Sequence, residues 1–131
     1  MATSTAAFDQ SEQASQARVM RPIDRIHLAK QCLGDEHLEL EVLRLFDTTI
    51  ATYFGRLLAS ASPDMVTLNL HSIKGAASGV GAWIVADLAK ACEIELQEGR
   101  PLTPERLADL GIAVEEVRSA IARMIEGQPD E

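Results

Sequence analysis

The run from His71 to Ala82, HSIKGAASGVGA, puts an imidazole, an ammonium and three glycines within twelve residues. An imidazole titrates near neutral pH and serves as a nucleophile or a proton carrier. A lysine three residues on brings a positive charge to whatever that imidazole holds. Together they suit a phosphoryl group carried on a ring nitrogen. The glycines need a separate reason. Inside a helix each costs about 1 kcal/mol relative to alanine, so a sequence that only needed a stable helix would not choose them at Gly75 and Gly79. Some surface there has to be bare.

A helical projection says which surface. At about 100° per residue, Thr67, Lys74, Gly75 and Ser78 fall within roughly 60° of His71, and Leu68 lies about 60° away. Val66, Ile73, Ala77 and Val80 fall on the opposite side. Asn69 lands near that apolar side, where its amide is expected to bond a backbone carbonyl. Helical side chains lean toward the N-terminus, so a side chain at 75 would cover His71. Its absence leaves the imidazole open. Lys74 at i+3 reaches the same spot, and Ser78 adds a small polar surface one turn further on. Leu68 and the small residues are candidates for a docking surface.

Other chemistries fit poorly. A metal site needs several converging ligands, and His71 has Thr67 at i−4 and Gly75 at i+4. A P-loop needs its lysine after the glycines and a strand before them. Gly79-Val80-Gly81 begins like a dinucleotide fingerprint, but Ile84 stands where the third glycine belongs. Ser78 and Cys92 lack a neighbouring base. His27 and His37 read as solvated surface residues, and Cys32 and Cys92 as small core fillers.

The elements that position these residues are helical throughout. The spacing predicts a short helix from about Ile23 to Leu33, ended by Gly34. Asp35 caps the next, whose apolar set of Val42, Leu45, Phe46, Thr49, Tyr53 and Leu57 runs to about Ala61. Ser62-Pro63-Asp64 opens a third helix, which carries the motif. A fourth starts near Gly81 or Ala82, buries Ile84, Val85, Leu88, Cys92 and Leu96, and ends at Gly99. Thr103-Pro104-Glu105 opens the fifth, with Leu107, Leu110, Val114, Val117, Ile121 and Met124 on one face. Short links imply an all-α, up-down antiparallel four-helix bundle with a short extra N-terminal helix. Residues 1–21 read as a flexible tail and residues 22–127 as the bundle domain.

Composition narrows the partners. The 131 residues carry a formal net charge of −8 and a pI near 4.8. Nucleic acid and anionic lipid would repel such a chain. No stretch is long and apolar enough for a membrane helix, and the N-terminus lacks the pattern of a secretory signal. The expected compartment is the cytoplasm.

His71-Ser72-Ile73-Lys74-Gly75 followed by Gly81-Ala82 resembles the signature of the histidine-containing phosphotransfer (HPt) domain family. The Gly34-Asp35 helix start, the Leu45-Phe46 pair and the layout from about Asp24 to Ile125 resemble that family too. The resemblance implies that His71 is the phosphoacceptor, that Lys74 supports the phosphate and that Gly75 gives access. It also implies a polar neighbour of the imidazole on the next helix, where Glu93 stands. Trp83, a large residue soon after the second glycine, departs from the pattern and is expected to pack under the motif or to extend the docking surface. The implied partners are receiver domains of response regulators and hybrid histidine kinases. A monomer is expected, with no cofactor or metal of its own and Mg²⁺ on the receiver. With no room for an ATP-binding domain, the chain is expected to receive its phosphoryl group, not to act as a kinase. The alternative is a helical adaptor that docks on signalling proteins without carrying phosphate.

Overall fold

The computed structural model describes residues 20–127, and the tail expected over residues 1–21 lies almost wholly outside them. The described residues form five α-helices: α1 (Arg25–Gln31), α2 (Glu36–Ala59), α3 (Pro63–Val80), α4 (Trp83–Gln97) and α5 (Pro104–Ile125). Asp35, Ser62 and Thr103 each accept the backbone N–H three residues ahead, at 3.1, 3.2 and 3.2 Å, and so cap α2, α3 and α5. Each satisfies a donor that the helix start would leave orphaned. Pro63 and Pro104 follow their caps, where the missing N–H costs nothing.

Consecutive helices pack side by side, and α5 returns against α2 as well as α4. This closes a four-helix bundle, with α1 laid on α2 and α3. Arg118 on α5 donates to Asp47 on α2 at 2.9 Å, and Arg106 on α5 pairs with Glu95 on α4. The core is aliphatic, built on Leu43, Ile50, Leu70, Ile73, Val85, Val114 and Ile121, all essentially inaccessible. Burying each such side chain contributes roughly 1.5–3 kcal/mol. Cys32 and Cys92 sit in this core with free thiols.

Several boundaries and faces differ from those the sequence suggests. α1 starts at Arg25, because the Asp24 carboxylate accepts the His27 N–H and takes the cap position. α2 stops at Ala59, two residues early, and Ser60 turns its hydroxyl back to the Arg56 carbonyl. Leu45 is 69% exposed. The buried face of α2 runs instead through Leu43, Phe46, Ile50 and Leu57, because this helix meets α1, α3 and α5 and its contact arc is rotated. On α4, Ile84, Leu88 and Leu96 are only half-buried, and the innermost positions belong to Val85, Ala86, Ala89, Cys92 and Glu93. Small residues at 86 and 89 let α4 lie close to α3.

His27 is not merely solvated, because it packs against Trp83. The two rings meet edge to face at 4.7 Å. The Trp83 indole N–H donates to the Asp24 carboxylate at 2.9 Å. The Asp24 backbone N–H in turn donates to the Gly81 carbonyl at 2.9 Å. A fully buried aspartate therefore ties the segment before α1 to the α3–α4 turn. His37 does stay on the surface, 3.1 Å from Glu41.

Candidate functional site

The α3–α4 hairpin brings the site together. α3 ends in a Schellman turn: Ala82 N–H bonds the Ala77 carbonyl at 2.8 Å, Gly81 N–H bonds that of Ser78 at 3.3 Å, and Gly81 takes φ +80°. The chain then reverses directly into α4, which sets the face carrying Glu93 beside the one carrying Lys74 and His71. Along α3, Ile73, Ala77 and Val80 point into the core, and so does Asn69. Its amide donates to the Met65 carbonyl at 2.9 Å and to the Ser60 hydroxyl at 3.2 Å, so the buried amide is satisfied.

His71 stands on the outward face with its side chain 69% exposed. A Cβ built onto Gly75 meets no atom within 4 Å, and the same holds at Gly79. Neither glycine serves close helix packing. Gly75 leaves open space beside the imidazole, and Gly79 leaves the next turn bare. Leu68 is exposed on the same side, and Ser78 is half-buried on the side toward Lys74. The exposed Leu45 borders a shallow apolar groove with Val42, Phe46, Thr49, Ala76 and Val80, next to the open strip of α3.

Glu93, the polar neighbour implied for the imidazole, is buried and lies between His71 and Lys74. Its side chain is 9% exposed, with Oε1 3.1 Å from Lys74 Nζ and Oε2 3.6 Å from His71 Nδ1. The Lys74 contact is ionic without hydrogen-bond alignment, and Oε1 is buried with no hydrogen-bonding partner. Among the described residues only Asp24 and Glu93 are buried carboxylates. Asp24 is explained by its cap and its tryptophan. Glu93 has no such structural employment. An ion pair taken out of water is often no more stabilising than an apolar replacement, so stability alone gives no reason to keep a glutamate on the inner face of α4. Its spacing is a signal legible in the sequence, since it stands four residues after the buried Ala89.

The remaining nucleophile candidates are poorly placed. The Cys92 thiol is buried, and burial pushes its pKa up, with Arg106 opposing and Glu95 reinforcing the shift. A thiol held protonated is a weak nucleophile. Among the described residues no group of three or more His, Cys, Asp or Glu side chains could hold a metal ion, and no helix is long and apolar enough to cross a membrane.

A model of the Hpt domain matches residues 41–124, from within α2 to the last turn of α5. The chain belongs to the Hpt domain family. Comparison with curated proteins and with solved structures returned no match. Hpt domains are helical phosphotransfer modules of two-component phosphorelays, distinct from kinases, and they interact with receiver domains. In this Hpt domain the matched span contains His71, Lys74, Gly75, Ser78, Leu68 and Glu93, and leaves out the Asp24 tie and α1.

Proposed function

We propose that this Hpt domain accepts a phosphoryl group on His71 from the aspartyl phosphate of one receiver domain and passes it to the aspartate of another. The observation that carries this reading is an exposed imidazole with open space over it at Gly75 and a cation at Lys74. Nδ1 faces Glu93, which leaves Nε2 on the far edge of the ring as the acceptor atom. Phosphoryl transfer depends chiefly on alignment and on neutralising charge. His71 supplies the nucleophile, Lys74 the charge, and Leu68 with the small residues of α3 the face on which the receiver sits. The Leu45 groove extends that face toward α2. Mg²⁺, where the reaction uses it, belongs to the receiver. Every group the reading asks of this chain comes from one molecule, so a monomer suffices.

The test mixes the purified protein with a panel of receivers phosphorylated by labelled donor. Label moves to the wild-type chain and not to His71→Ala, and it is lost in acid because a protonated ring nitrogen leaves readily. ATP and Mg²⁺ alone give no label. Label that persists in His71→Ala, or that survives acid, contradicts the assignment. Receiver binding without transfer by the wild type would favour the adaptor instead.

A further inference from the structure

A cleft of about 660 Å³ runs along the outer face of α5, and the phosphotransfer chemistry at His71 uses none of it. Leu110, Val114, Val117 and Ile121 turn one face of α5 into the core. The cleft follows the opposite stripe, from Ala108 through Ile112 and Glu115 to Arg123, and Pro22 lines it too. Toward the start of α5, Ala108 and Gly111 make a low apolar floor beside Ile112, which is 59% exposed. Phe54 of α2 keeps Gly111 bare, since a Cβ there would meet its ring at 3.1 Å. Toward the end of α5, the Arg123 Nε–H is buried without an acceptor. Arg25 and Met124 share a second, smaller cleft, which places the start of α1 at this same end. Pro22 therefore stands near Arg123, and the chain that precedes it leaves from there.

We propose that the chain's own residues 1–19 occupy this cleft, with Phe8 seated on the floor made by Ala108, Gly111 and Ile112. Phe8 is the only aromatic residue of that segment. It precedes Met20 by twelve residues, a span of about 18 Å as a helix and up to about 40 Å when extended. Ile112 and Arg123 are eleven residues apart on α5, or about 16 Å. The anchor reaches its floor in either conformation. The apolar residues of the segment follow no helical period, but a single anchor on a single floor needs none. Charge favours the same occupant. Arg18 lies close to the point of departure and offers a cation to Glu115 and Glu116, and a passing backbone presents carbonyl oxygens to the orphaned Arg123 Nε–H. A second copy fits less well, because a chain of net charge −8 would bring like charge to those two glutamates. Since α5 packs on α2 and α4, across the bundle from α3, the docked segment supports the fold and leaves the His71 face open to a receiver.

The experiment uses the full chain with isoleucine methyl groups and phenylalanine rings labelled for NMR. A nuclear Overhauser contact is expected between the Phe8 ring and the Ile112 methyl, and it disappears in Phe8→Ser. In a mixture of labelled and unlabelled protein the contact stays within one chain. Thermal melting gives a second readout. Phe8→Ser and Ile112→Asp each lower the melting temperature by on the order of 5 °C. The double variant melts no lower than the worse single one, because both changes remove the same contact. Transfer of label to His71 keeps its wild-type rate in all three. A wild type without the contact overturns the proposal, and so does a pair of single variants that melt like the wild type. A contact that runs between chains, with melting that rises with concentration, assigns the cleft to a second copy and overturns it as well. Contact and melting are read without a receiver, so they stand or fall separately from the relay.

Discussion

Gly75 and Gly81 lie six residues apart in one motif and are glycines for opposite reasons. At Gly75 a side chain would enter empty space over an exposed histidine. At Gly81 the backbone is left-handed, and a Cβ would come within 3.0 Å of both the Asp24 Cβ and its carbonyl oxygen and 3.3 Å from the His27 Cβ. The first glycine is bare toward the outside, where a partner must approach. The second is crowded from the inside, where Asp24, His27 and Trp83 lock the turn that aligns α3 with α4. Access and alignment are thus divided between the body of α3 and the turn that ends it. Substitutions should separate them.

The largest effect is expected at the crowded end. Gly81→Ala forces a non-glycine residue into the left-handed region, at about 1–2 kcal/mol, and presses on Asp24, whose backbone cannot yield without losing its bond to Gly81. A total loss of on the order of 3 kcal/mol lowers the melting temperature by about 10 °C or more. Calorimetry or thermal circular dichroism checks it. A variant melting like the wild type would break the contrast.

Next comes the open end, where stability and function part. Gly75→Gln exchanges a poor helix former for a good one, so the fold holds or gains up to about 1 kcal/mol. The new side chain leans over His71 and obstructs in-line approach, where misplacement by about an ångström costs roughly a hundredfold in rate. Transfer from a labelled receiver should slow by that order with melting unchanged or raised. Normal transfer, or early melting, removes the access account of Gly75.

The smallest effect sharpens the same point. Gly79→Ala also enters open space, but a side chain at 79 leans over position 75, one turn from the imidazole. It should raise stability by up to about 1 kcal/mol and leave the transfer rate alone. A large loss of rate would mean that the receiver covers more of α3 than the environment of His71.

The two glycines also show what a single chain discloses. Periodicity and start signals carried most of the helices, because Ser62-Pro63-Asp64 and Thr103-Pro104-Glu105 are local codes read without tertiary context. The outward face of α3 was legible for the same reason: i, i+3 and i+4 neighbours follow from helix geometry alone. What depended on a partner element was not. Leu45 fits the apolar spacing of α2 yet faces solvent, because the contact arc depends on where α1, α3 and α5 lie. The Asp24–Trp83 hydrogen bond spans most of the described chain, and no local pattern announces it. Open space at Gly75 and crowding at Gly81 are properties of the neighbours, invisible in the letter G. The ion pair from Lys74 to Glu93 likewise depends on how α4 packs on α3, although the buried position of Glu93 along α4 is itself periodic.

The most direct measurement is a pulse-chase through the site. Labelled phosphoryl groups are loaded on a first receiver, passed to the purified wild-type chain, separated from the donor, and chased with a second, unlabelled receiver. The account predicts that label reaches the second receiver as it leaves His71, with the total conserved, and that His71→Ala carries none across. Label that stays on the chain through the chase, or that reaches the second receiver equally well through His71→Ala, would contradict it.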